Sequence, residues 1–140
     1  MYSEKVIERF KNPRFGKKMD NYDGVGQVGN PTCGDVMRIF IKVKDNKISD
    51  ISYQTFGCAA AIVSTEFLCE IALNKSLEEA IKITNEDILR NMGTVPIEKI
   101  HCSILADDAL KEAIYDYYKK NNIDIPELLQ EEHKRITMNH

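Results

Sequence analysis

From Val36 the chain takes up a period of two, and that alternation governs what it can build. Met37, Ile39, Ile41 and Val43 fall on one side, with Arg38 and Lys42 on the other. Asp45-Asn46-Lys47 reads as a turn, after which Ile51, Tyr53 and Thr55 alternate again. Strands joined by so short a turn pair antiparallel. Gly57 closes the second, and CAAAIVSTEFLCEIAL then reads as a helix whose alanines permit close packing on the sheet.

The flanks are less regular. Ser3 is placed to cap a short helix with Val6, Ile7 and Phe10 on one face, ended by Pro13. Residues 12–35 are rich in Gly, Asn, Asp and Pro and read as loop, with a short strand near Val25 to Val28. Ser76 with Glu79 fits a capping box for a helix through Ile83. Thr84 caps another turn or two ending near Asn91-Met92-Gly93, and Pro96 breaks the chain. A long helix is expected over Ile104 to Lys120, with Leu105, Ala109, Ala113 and Tyr117 on one stripe. The segment PELLQEEHKRITMNH reads as a helix that is frayed or dependent on a partner. The expectation is α+β: a small antiparallel sheet of about three strands, helices on one side, in one domain. That domain spans residues 1–122, with a polar tail over 123–140, and 140 residues bury a core without staples.

A net charge of -3 gives no reason to expect nucleic acid, which needs clustered Lys and Arg. The first eighteen residues are locally basic, with six Lys or Arg against Glu4 and Glu8. That patch reads first as a solvated face, and second as one that could meet an acidic protein surface. MYSEKVIERF lacks the apolar stretch of a signal peptide, and the longest apolar run, CAAAIV, is too short to cross a membrane. A cytoplasmic, reducing setting is therefore expected, where four cysteines serve as ligands or nucleophiles rather than a disulfide framework.

Three of the four stand at junctions. Cys33 lies in GNPTCGD before the first clear strand, Cys58 at the strand-to-helix corner, and Cys102, after His101, just ahead of the long helix. Unpaired backbone N–H groups and the positive dipole end at a helix start favour thiolate over thiol. A loop folding Cys33 over both helix starts would bring three thiolates together, with Asp35 and His101 beside them as candidate fourth ligands. The ordinary fate of one cysteine is core filler, and the scattered spacing offers no CxxC pair. Cys69, about 16 Å along the same helix from Cys58 at 1.5 Å per residue, cannot share a metal with it and is read as packing. His133 and His140 are read as solvated.

GNPTCGDVM (29–37), TFGCAAAIVS (55–64) and KIHCSILADDALKEAI (99–114) resemble the three cysteine motifs of the IscU/NifU N-terminal family of iron–sulfur scaffolds, and YSEKVIERFKNPR resembles its usual start. The resemblance covers residues 2–120 and implies a protein that builds clusters transiently and hands them to apo-proteins, a persulfide acceptor and not a turnover enzyme. It makes Cys33, Cys58 and Cys102 the cluster ligands, Asp35 the aspartate that ligates metal and keeps the cluster labile, and His101 the histidine of a fourth position. Cys102 corresponds to the main acceptor of persulfide sulfur from a cysteine desulfurase. The cargo implied is a [2Fe-2S] cluster, with [4Fe-4S] as the alternative and zinc as an occupant of the empty site. An electron donor, an iron donor and a homodimer sharing one cluster complete the partners considered. VPIEK (95–99) replaces the family's LPPVK, which weakens the expectation of an Hsp70-type chaperone contact. Two other functions use the same donors: a zinc-binding sulfur acceptor of the SufU type, and a structural zinc module. Compact spacing and His101-Cys102 favour the IscU side over the SufU branch.

Overall fold

The computed structural model describes residues 4–30, 35–56, 59–93 and 101–139. Along the chain come α1 (Glu4–Lys11), β1 (Gly24–Asn30), β2 (Asp35–Lys44), β3 (Lys47–Phe56), α2 (Ala59–Ala72), α3 (Leu77–Ile81), α4 (Asn85–Met92), α5 (His101–Lys120) and α6 (Glu127–Asn139). The strands form one antiparallel sheet in the order β1-β2-β3. Asp45 and Asn46 both hold positive φ, 53° and 61°. That pair of left-handed residues is what a tight hairpin with native twist requires. A register shift between Lys42 and Val43 follows it, and Val43 is only half-buried.

The alternation expected from sequence is the core pattern. Met37, Ile39 and Ile41 are fully buried, and their register partners Ile51 and Tyr53 are nearly so. Opposite them on β1 stand Gly24, Gly26 and Val28. A Cβ on Gly26 would lie 2.2 Å from the Ala109 carbonyl oxygen, and one on Gly24 would lie 2.4 Å from that of Ala113. The two glycines therefore let the α5 backbone lie directly on β1, closer than any side chain would allow. α2 packs between the sheet and the outer helices; Ala61 and residues 63–69 are all buried. On the opposite side of the sheet, Phe40 is buried under Tyr22, ring centroids 5.3 Å apart.

The expected capping box of Ser76 with Glu79 is present, although its helix stops at Ile81, and the expected Thr84 cap is itself a capping box, with Asp87. β1 is longer than expected. α5 opens at His101 instead of Ile104, so His101 and Cys102 belong to its first turn. The Ser3 cap and the Pro96 break lie outside the described residues. α1 presents Ile7 and Phe10, 43% and 46% exposed, to solvent and buries Arg9 instead.

The tail differs most from its reading. α6 is a helix docked on α5, with Leu129 and Ile136 buried. Polar pairs hold it: Arg135 donates to Asp108 at 2.7 Å, and Lys111 donates to Glu132 at 3.2 Å. His133, expected in solvent, stacks on Tyr115 at 3.8 Å and shares a hydrogen bond of 2.7 Å with Glu112. The helix was expected but its docking was not, because two apolar side chains, Leu129 and Ile136, suffice to seat it. Among the described residues no helix is long and apolar enough to cross a membrane.

Candidate functional site

Three chain junctions meet at one end of the sheet. Asn30 pairs with Asp35, closing the β1–β2 hairpin there, and Val36 pairs with Phe56 at the end of β3, immediately before α2. α5 runs antiparallel to β1: Gly24 lies under Ala113 and Tyr117, and Gly26 under Ala109 and Ala113. From Gly26 to Asn30 the strand advances about 14 Å at 3.4 Å per residue, a distance α5 covers in about nine residues at 1.5 Å each. Counting back from Ala109–Ala113 by that amount reaches the first turn of α5.

Residue by residue, Cys33 falls in 31–34, between β1 and β2, and Cys58 in 57–58, between β3 and α2; both lie outside the described residues. Asp35 is the first residue of β2, and His101 and Cys102 are the first two of α5. Cys102 precedes Ala109 by seven residues and Ala113 by eleven along α5. The segment VPIEK also lies outside the described residues. Among the described residues alone, no group of three or more His, Cys, Asp and Glu side chains is placed to hold a metal ion. The candidate donors are thus junction residues, and the first turns of α2 and α5 carry no acidic residue to oppose a thiolate.

Behind the junctions lie two buried ionic clusters that the sequence reading missed. Glu66, fully buried in α2, accepts the backbone N–H groups of Arg14 at 2.8 Å and Phe15 at 2.9 Å, and the Tyr53 hydroxyl at 2.7 Å. Arg9 adds its charge at 3.7 Å and bonds Glu70 at 3.2 Å; Arg14 bonds Glu70 at 2.7 Å. Two of the six basic residues near the N-terminus are therefore engaged by carboxylates of α2, Arg9 buried and Arg14 at the surface. Burial, with the bond to Glu66 next, pushes the Tyr53 phenol well above its ordinary range. The signal was Glu66, a carboxylate in the middle of the mostly apolar run from Ala59 to Cys69: buried charges need partners.

The second cluster sits where α5 meets α6. Burial pushes the Asp107 carboxyl up to about 6, opposed by Lys111, which stands 3.4 Å from its Oδ2. Cys69 is the packing residue it was read to be: fully buried, its thiol is pushed well up by desolvation, the reverse of a reactive cysteine.

The sequence profile of the family described as NifU-like N terminal domain matches residues 1–124. The chain is 55% identical over 121 residues to the iron-sulfur cluster assembly scaffold protein IscU 1 of Archaeoglobus fulgidus, covering 86% of this chain and 79% of that relative. It is 50% identical over 123 residues to the iron-sulfur cluster assembly scaffold protein IscU of Escherichia coli, covering 85% and 95%. A solved structure described as a hypothetical protein superposes with a TM-score of 0.67 at 31% identity, covering 79% of this chain and 94% of that one.

Proposed function

The chain belongs to the family of NifU-like N-terminal domains, and on that premise we propose that it is a scaffold for iron–sulfur cluster assembly. It takes sulfur from a sulfur donor, holds a cluster as cargo and passes it to apo-proteins. The observation that supports this reading is the meeting of three element ends at one edge of the core. The β1–β2 turn, the β3–α2 corner and the first turn of α5 each carry one cysteine in the sequence.

In this reading Cys33, Cys58 and Cys102 are the thiolate ligands, with Asp35 and His101 supplying the fourth position. Cys102 takes sulfur from a cysteine desulfurase: its thiolate attacks the outer sulfur of the donor's persulfide, a new S–S bond forms as the old one breaks, and the donor thiolate leaves. Two electrons from a reductant then release that sulfur as sulfide for a [2Fe-2S] cluster. The positive end of α5 favours the attacking thiolate. A site with three thiolates and one oxygen or nitrogen ligand holds its cluster less firmly than four cysteines do, which suits a protein that must give it away. The role is that of carrier and acceptor, without turnover of a small substrate.

Anaerobic reconstitution with iron and a desulfurase tests it. The wild type should become coloured, with sulfur-to-iron charge-transfer absorption, and each Cys→Ser variant at 33, 58 and 102 should lose most of that absorption. Asp35→Ala should instead lengthen the life of the bound cluster. A colourless protein that binds only zinc and still stimulates the desulfurase would overturn the reading.

A further inference from the structure

A second feature stands beside the junction of β3 and α2. Pro13, Gly16, Lys17 and Lys18, the last four residues of β3 and Ile62 of α2 line a groove of about 490 Å³. Its floor is apolar: Pro13, Ile62, and Phe56, whose side chain is a large aromatic left 73% exposed. Its rim carries Lys17 and Lys18, both exposed. They belong to the part of the basic N-terminal stretch that Glu66 and Glu70 do not take up, since those carboxylates engage Arg9 and Arg14.

The groove also runs along an edge strand. β3 is the last strand of the sheet, and Tyr53 donates its backbone N–H outward to the Phe15 carbonyl at 3.0 Å. Antiparallel pairing alternates the sides to which backbone groups point, so Thr55, two residues on, faces the same open edge. There the leading segment no longer covers the strand, and the lining passes to Lys17, Lys18 and Phe56. An unpaired edge with an apolar pocket beside it is the geometry of strand addition, in which main-chain hydrogen bonds give affinity and alternate side chains give selectivity.

We propose that this groove docks an extended, acidic segment of a partner protein. The segment pairs with the β3 edge at Thr55, sets one apolar side chain between Phe56 and Ile62, and faces Lys17 and Lys18 with its carboxylates. The site lies next to the Cys58 junction, so an occupant would sit beside the candidate cluster site without using its ligands. The inference does not depend on cluster chemistry.

The test uses the full chain, without reconstitution, and a labelled nine-residue peptide of alternating glutamate and valine. Fluorescence anisotropy should saturate, and amide shifts in a nitrogen-15 spectrum should centre on Lys17, Lys18, Thr55, Phe56 and Ile62. The Lys17→Glu, Lys18→Glu double variant should bind at least tenfold more weakly, and a peptide with lysine in place of glutamate should not bind. N-methylation of alternate peptide nitrogens keeps every charge but removes strand pairing, and should also cost at least tenfold. Undiminished binding of the methylated peptide, shifts centred elsewhere, or no saturation at millimolar peptide would each overturn the proposal. Such a failure would leave cluster assembly standing, and a failed reconstitution would leave the groove standing.

Discussion

Replacing Glu66 with Ala removes the acceptor for three groups and a counter-charge for a fourth. The N–H groups of Arg14 and Phe15 and the Tyr53 hydroxyl lose their bonds, and the buried Arg9 loses its fully buried counter-charge. Each bond to a charged acceptor is worth about 1.5–3 kcal/mol, and removing one member of a buried ion pair costs about 3–5 kcal/mol. The effects overlap because Arg9 keeps Glu70 and water can enter the cavity, so the expected loss is about 4 kcal/mol. For a chain of this size that lowers the melting midpoint by about 12–15 °C. Glu66→Gln keeps one carbonyl oxygen but points an amide donor at other donors, and should lose about half as much. Glu70→Ala, at a side chain 45% exposed, should cost under about 1 kcal/mol. Urea unfolding of the three variants, with amide exchange at Arg14 and Phe15, reads both the energy and its place. The reasoning fails if Glu66→Ala stays within about 1 kcal/mol of wild type, or if Glu66 and Glu70 variants are alike.

Gly26→Ala drives a methyl into the Ala109 carbonyl and the Ala113 nitrogen, both backbone atoms; a loss of about 3 kcal/mol or more is expected, with far-UV helix content kept and the spectra of α5 amides shifted. Asp107 gives a pH signature. Its folded-state carboxyl titrates at about 6 against an ordinary 3.8, so the folded state holds that proton more tightly; the stability gained is full below about pH 4 and is lost as pH rises to about 6. At about 1.4 kcal/mol per unit the loss is about 3 kcal/mol. Asp107→Asn should flatten that fall and leave the protein no less stable at pH 7; urea midpoints that keep the wild-type slope would refute it.

What the sequence made legible was periodicity and caps. Residues 36–55 declared both strands and their buried face because a period of two has one solution when one side must be dry. Ser76 declared a helix start because Glu79 stands three residues on, and Thr84 declared another as a capping residue ahead of a polar first turn. The reading of α1 failed because amphipathic pattern was trusted over charge: Arg9 is drawn inward by Glu66 and Glu70, partners 57 and 61 residues away in sequence, and Ile7 and Phe10 turn outward with the helix. α6 was legible as a helix but its docking was not, since its seat depends on Asp108, Lys111 and Tyr115 of another helix. The candidate site was legible as three cysteine-bearing junctions, but their meeting at one end rests on the antiparallel lie of α5 on Gly24 and Gly26, a close approach that no local pattern announces.

The missed ionic clusters have a common logic. α2 and α5 are the helices that begin at the junctions of Cys58 and Cys102, and each carries a buried carboxylate about two turns in: Glu66, eight residues after Cys58, and Asp108, six after Cys102. Each is met by an arginine from an outer helix, Arg9 of α1 at 3.7 Å and Arg135 of α6 at 2.7 Å. A charge so placed stabilises little relative to an apolar pair, but it penalises any sliding of one helix on another, because displacement leaves a buried ion unpaired. The helices are therefore fixed in register behind the site. Arg9 and Arg135 are then expected to matter to the site without touching it: exchanging either for methionine should shift the amide signals of the first turns of α2 and α5 more than the signals of β2.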